Sequence, residues 1–110
     1  MALSKLQYFE DANLRLSEFT KALSHPARLE ILKTLAKQET CICGEIVEKL
    51  PLAQSTVSQH LKELKKYGLI SSEIDGPKSC YTLNWNKLES YFGLVQGFAE
   101  NLKKMNAPMM

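Results

Sequence analysis

The stretch Gln54-Ser55-Thr56-Val57-Ser58-Gln59-His60-Leu61-Lys62-Glu63-Leu64-Lys65-Lys66-Tyr67 limits the fold more than any other part of the chain. Val57, Leu61 and Leu64 fall at helical spacing on one face. Ser55, Ser58, Gln59, Lys62 and Lys66 fall on the opposite face at about 100° per residue. Both ends are marked. Pro51-Leu52-Ala53 forces a turn, because proline disfavours helical backbone at the residue before it. Gly68 is placed to end the helix in left-handed backbone. The pattern then changes period. Leu69 to Ile74 alternates as a strand, Asp75-Gly76-Pro77-Lys78 is a turn signal, and Ser79 to Leu83 returns, so a β-hairpin follows the helix directly.

The flanking segments are helical. Leu3 to about Phe19 carries Leu6, Phe9, Leu14, Leu16 and Phe19, a broad apolar face. Pro26 suits the first turn of a second helix running to about Lys37, with Leu29, Ile31, Leu32 and Leu35 on one side. After the polar break Gln38 to Thr40, a short helix is predicted from Cys43 to Leu50 on Ile46, Val47 and Leu50. A last helix is predicted from about Trp85 to Met105, with the stripe Leu88, Phe92, Val95 and Leu102 and with Tyr91 and Phe98 beside it. The tail from Asn106 to Met110 is predicted to fray. The chain is therefore mainly α with a small β-hairpin, one domain over 1–110.

Composition excludes little but is consistent. The 110 residues are 45% hydrophobic and 24% charged, which fits one folded domain and not a disordered chain. A net charge of +2 permits a nucleic-acid partner without requiring one. Met1 to Glu10 lacks the long apolar region of a signal peptide, and no stretch is apolar enough to cross a bilayer. The expected setting is cytoplasmic, without a membrane partner and with the 3 cysteines reduced.

Short helix, tight turn, longer helix and hairpin make a helix-turn-helix followed by a wing. The second helix of such a unit, here about 54–67, can enter the major groove of duplex DNA, with the wing at about 69–83 beside it. The expected DNA-contacting residues are Gln54, Ser55, Thr56, Ser58, Gln59, His60, Lys62 and Lys66, with Lys78 in the wing. Ser55, Ser58 and Gln59 have the reach and the groups to read base edges. Lys62 and Lys66 suit phosphate oxygens. The only arginines, Arg15 and Arg28, lie outside this surface, so bidentate guanine contacts are not available from the helix. His60 sits beside the core stripe, where packing or a phosphate contact is favoured over a metal ligand. Against all this stands the plain alternative of a solvated helix face. No Gly-rich phosphate loop, catalytic triad or paired-carboxylate constellation is present, so an enzyme is not expected. Two amphipathic terminal segments, about 3–19 and 85–105, leave apolar surface uncovered in a monomer. Leu6, Phe9, Leu88, Phe92, Val95, Phe98 and Leu102 are the expected homodimer contact, unless both stripes face the chain's own core.

Three runs carry a resemblance. They are Lys21-Ala22-Leu23-Ser24-His25-Pro26-Ala27-Arg28-Leu29-Glu30-Ile31-Leu32, then Ala53 to Leu64, then Gly68-Leu69-Ile70-Ser71-Ser72 followed by Tyr81-Thr82-Leu83. In this order they resemble the ArsR/SmtB family of winged-helix repressors over about Phe19 to Asn84. The resemblance implies a homodimer packed through its first and last helices, a palindromic operator, and an effector that weakens DNA binding. The chain departs from the family pattern in places. His25 stands where aspartate is common and is expected to cap poorly, and Ala53 stands where a capping serine is common. Lys78 is the only basic residue of the hairpin, and Thr82 occupies a position often filled by arginine. Arg28 is expected to be an internal salt-bridge partner rather than a phosphate contact.

Cys41-Ile42-Cys43 is the sharpest chemical feature. Metal and arsenic sensors of the resembled family carry Cys-x-Cys here, and two close thiolates can hold a soft metal or metalloid ion. The third cysteine of arsenite sensors would fall at Ile46, and Asn84 to Met110 has no histidine for a zinc-type site. Cys80 is expected on the strand face opposite Tyr81 and Leu83, far from Cys41. Two other roles stand open for Cys41 and Cys43: small hydrophobes at a helix start, and a thiol-redox sensor. No cofactor is assigned and the effector is open. A winged-helix protein-interaction module and a thiol enzyme built on Cys41 and Cys43 are the competing functions, although the second lacks a base.

Overall fold

Local chemistry marks where several of the elements begin or end. The computed structural model describes residues 8–37, 50–75 and 78–106, with Ile74, Asp75, Lys78 and Ser79 described by their backbone. In chain order the elements are α1 (Asp11–Ala22), α2 (Pro26–Ala36), α3 (Gln54–Lys66), β1 (Ile70–Asp75), β2 (Lys78–Leu83) and α4 (Trp85–Met105). The short helix predicted for Cys43 to Leu50 lies outside the described residues except for Leu50.

The part of the first predicted helix from Leu3 to Gln7 lies outside the described residues; within them α1 starts at Asp11 and runs past Phe19. Tyr8 to Glu10 are not helical, and Asp11 opens the first turn, where its charge suits the helix dipole. The helix passes Phe19 to Ala22, which places both in the core, and closes with the Leu23 N–H donating to the Phe19 carbonyl at 3.1 Å and the Ser24 N–H to the Lys21 carbonyl at 3.2 Å. α2 opens on Pro26 as expected. α3 stops in two residues. Gly68 adopts φ +79°, the Gly68 N–H donates to the Lys65 carbonyl at 3.0 Å, and the Leu69 N–H donates to the Leu64 carbonyl at 3.0 Å. This is a Schellman ending, and Leu69 is fully buried beneath it. α4 opens on Asn84, whose Oδ1 accepts from the Lys87 N–H at 3.2 Å.

β1 and β2 pair antiparallel, with Ile70 opposite Leu83, Ser71 opposite Thr82, Ser72 opposite Tyr81 and Glu73 opposite Cys80. Ile70, Tyr81 and Leu83 pack toward the core. Cys80 lies on the other face by the strand's alternation, as expected, and is itself buried.

One cluster holds the elements together: Phe19 and Ala22 from α1, Ile31 and Leu35 from α2, Val57, Leu61 and Leu64 from α3, then Leu69, Ile70, Leu88 and Tyr91. Phe19 stacks on Tyr91, with centroids 4.7 Å apart and planes at 8°, and Arg15 Nη2 donates to Ser90 Oγ at 2.8 Å, so α1 lies along α4. Leu88 belongs to this core at 3% exposure. It therefore leaves the set expected at the dimer contact, because the first turns of α4 cover their own protomer. Among the described residues no helix is long and apolar enough to cross a membrane.

Gly68→Ala is expected to lower the unfolding free energy by about 1 kcal/mol in urea titrations, because an L side chain would be held in left-handed backbone. The added methyl itself would meet the flexible Lys87 side chain, nearest at Cε, 3.4 Å away, an ordinary contact. An unchanged midpoint would show that the turn does not depend on this conformation.

Candidate nucleic-acid interface

α3 is the element that carries the predicted interface, and its two sides are cleanly divided. Val57, His60, Leu61 and Leu64 are buried. Gln54, Ser55, Thr56, Ser58, Gln59, Lys62, Lys65 and Lys66 are exposed. Ser55, Ser58, Gln59, Lys62 and Lys66 share an arc of about 100° on the outer face. The uncharged groups occupy the first half of the helix and the lysines the second. Lys65 and Lys66 fall in the last turn, where the helix dipole favours cations. The Lys66 ammonium also lies 5.6 Å from the Tyr67 ring centroid. Lys65 flanks the polar arc and was not among the predicted contacts, since a lone surface lysine gives no distinguishing signal. As expected, Ala53 provides no side-chain cap to α3.

His60 is placed differently from the other predicted contacts. Its side chain is buried on the inner face of α3, and Arg28 Nε donates to its Nδ1 at 3.2 Å. It is thus a packing residue, corrected from the set of DNA contacts by its position at the edge of the apolar stripe. Arg28 Nη1 also donates to the carbonyl oxygens of Lys21 at 3.0 Å and Ala22 at 3.4 Å. The expected internal role of Arg28 holds, but its partners here are a ring nitrogen and two carbonyls in place of a carboxylate.

His25 departs further from expectation. Its Nδ1 accepts from the Ala27 N–H at 2.9 Å, so the side chain caps α2 after all. Its ring also lies against His60, with centroids 4.4 Å apart. Burial holds the His60 pKa below the ordinary histidine value, and the charges of His25 and Arg28 push it the same way. His60 is therefore neutral at pH 7, as its acceptor role toward Arg28 requires. Two rings beside a guanidinium make a poor cation site, and among the described residues no group of three or more His, Cys, Asp or Glu gathers. Cys41, Cys43, Leu6 and the Lys78 side chain lie outside the described residues.

The other predicted surface runs along α4. Phe92, Val95, Phe98 and Leu102 are 46%, 41%, 47% and 50% exposed, and Phe9 is 58% exposed. They extend the line of Leu88 and Tyr91 beyond the protomer's own core.

Comparison with known proteins decides the family. The pattern of the bacterial regulatory protein, arsR family, matches residues 25–72. The arsenical resistance operon repressor of Staphylococcus xylosus is 39% identical over 74 residues, 67% of this chain and 70% of that protein. The cadmium resistance transcriptional regulatory protein CadC of Listeria innocua is 33% identical over 102 residues, 92% of this chain and 83% of that one. The chain belongs to the arsR family. The solved structure of HlyU from Vibrio cholerae superimposes on this arsR-family chain with a TM-score of 0.65 at 28% identity, covering 89% of this chain and 98% of that one. The winged helix-turn-helix read from the residues is the fold of the family. This arsR-family protein is a DNA-binding transcriptional regulator and not an enzyme, so the thiol-enzyme and protein-module readings fall away.

His25→Ala is expected to cost about 1 kcal/mol of stability through the lost cap, and His25→Asn to retain most of it. Urea unfolding at pH 8, where histidine is neutral, checks both; equal loss for the two variants would count against the capping role.

Proposed function

We propose that this regulator is a homodimeric repressor that sets α3 of each protomer into successive major grooves of a palindromic operator, with the β1–β2 hairpin lying alongside. The supporting observation is the division of α3, whose inner side is anchored in the core while Ser55, Ser58, Gln59, Lys62 and Lys66 stand free in one arc. Gln54 and Thr56 sit exposed in the first turn and Lys78 sits in the hairpin, positions suited to the phosphates on either side. The exposed stripe Phe92, Val95, Phe98 and Leu102 on α4, with Phe9 before α1 and Leu6 upstream of it, supplies the apolar area for a two-fold contact. Such a protein works where its operator is, in the cytoplasm. Cys41 and Cys43 provide a two-thiolate set for a soft ion as effector, in keeping with relatives named for arsenical and cadmium resistance. Operator titrations with added arsenite or cadmium test this, and unchanged affinity would remove those ions as effectors.

Base reading and backbone contact separate by mutation. Gln59→Ala is expected to lose about 1–3 kcal/mol of discrimination between operator and altered sites. Lys62→Ala is expected to weaken operator and scrambled duplex alike, and to lower the slope of log K against log salt by about one. Anisotropy titrations read both, and equal loss on both duplexes for Gln59→Ala would remove it as a base reader. Phe98→Glu is expected to give monomers by light scattering and to reduce operator affinity toward that of a half-site. A wild-type chain that is monomeric on DNA would overturn the symmetric arrangement.

A further inference from the structure

The buried side of α3 carries one residue out of keeping with its apolar neighbours, His60. It is not merely tolerated there. Arg28 Nε donates to its Nδ1 at 3.2 Å, and the same guanidinium reaches the last carbonyls of α1 through Nη1, at 3.0 Å to Lys21 and 3.4 Å to Ala22. One side chain of α2 thus ties the end of α1 to the middle of α3. The His25 ring closes the cluster from the start of α2, 4.4 Å from His60 between centroids, while its own Nδ1 holds the Ala27 N–H. Both rings therefore use Nδ1 as an acceptor, and the proton of each neutral ring sits on Nε2.

We propose that Arg28 and His60 are positioning residues for DNA reading: the neutral His60 ring, gripped by Arg28, fixes the angle at which α3 presents Ser55, Ser58 and Gln59, and protonation of that ring releases the grip. This rests on α3 being the reading helix, as argued above. Once Nδ1 carries a proton, a donor faces the Arg28 Nε–H donor, and a buried cation stands beside a guanidinium. Among the described residues, the groups packed around His60 do not offset this. From α2 it faces Arg28 and His25, and from the end of α1 the carbonyls of Lys21 and Ala22 already engage Arg28. Glu30 on α2 and Glu63 on α3 are the only carboxylates of those two helices, and neither is hydrogen-bonded to His60. The depressed proton affinity of His60 agrees with the geometry. Its sign is definite. A histidine with a lowered folded pKa favours the native arrangement above the unfolded value of about 6.5, and that preference is lost as pH falls from there through the folded value.

DNA affinity should therefore fall on acidification, against the trend of bulk electrostatics, since protonation makes the protein more positive and would by itself tighten binding to phosphate. The experiment is an operator titration by anisotropy at constant salt from about pH 7.5 to about pH 5.5, with circular dichroism confirming that the fold persists. The wild-type chain is expected to lose about tenfold in affinity, the effect of one unit of differential proton affinity. His60→Asn puts an amide oxygen near the place of Nδ1 and cannot titrate; it is expected to match the wild type at pH 7.5 and to show a flat profile. Arg28→Lys, which keeps the charge but not the three-way bridge, is expected to bind several-fold more weakly at pH 7.5 and to lose most of the pH dependence. His25→Asn keeps the cap and removes the second ring; a profile that still falls supports His60 as the responsible group, and a flat profile overturns that assignment. A wild-type profile that is flat or rises on acidification overturns the proposal, as does a His60→Asn profile that still falls. Absence of operator binding at pH 7.5 would instead overturn the reading of α3 on which the proposal stands.

Discussion

The packing of one narrow side of α3 decides what the rest of the molecule can do. Val57, Leu61 and Leu64 close against Ile31 and Leu35 of α2 and against Leu69 and Ile70 at the root of the hairpin. Burying an aliphatic side chain of this size contributes about 1.5–3 kcal/mol, so three of them outweigh what the polar side could gain by turning inward. With that side anchored, Ser55, Ser58, Gln59 and Lys62 have nowhere to point but outward. The surface proposed to meet DNA is the remainder of a packing solution.

The other elements hang from this anchor through few but specific links. Leu69 is buried under the helix end, and its carbonyl accepts from the Asn84 N–H at 2.9 Å. The last strand and the start of α4 are thereby tied to the end of α3. Farther along, Phe19 lies flat on Tyr91 and meets the edge of Phe92, with centroids 6.0 Å apart and planes at 73°. α1 and α4 are thus joined close to the core and part from it as α4 continues, which leaves Phe98 and Leu102 beyond the reach of their own protomer's core.

Sequence reading succeeds here where the signal is local and periodic. The two faces of α3, the glycine that ends it, the proline that opens α2 and the hairpin turn all announce themselves within a few residues. It fails where contacts join distant positions or where one pattern serves two ends. His25 and His60 are 35 positions apart, and no spacing rule brings them together. A histidine capping through Nδ1 also falls outside the usual serine, threonine, aspartate and asparagine preference, so His25 reads as a weak cap. Leu88 reads as one with Phe92 to Leu102 because the apolar stripe of α4 is continuous. Periodicity gives the direction of a stripe and not what covers it. Phe9 likewise fits the apolar pattern of the first helix yet lies before α1, which begins at Asp11 after the cap residue Glu10.

The abrupt stop at Gly68 and Leu69 has an evolutionary side. Three residues, Tyr67, Gly68 and Leu69, separate α3 from β1, and the last two are fixed, one by its backbone and the other by its burial. One extra residue at this joint would turn Ile70 outward and Ser71 inward, exchanging the two faces of the hairpin. If α3 and the hairpin grasp the duplex as proposed, lineages that adapt this scaffold to a new DNA sequence are confined to swapping side chains on the exterior of α3, since the joint leaves no freedom to re-space the two.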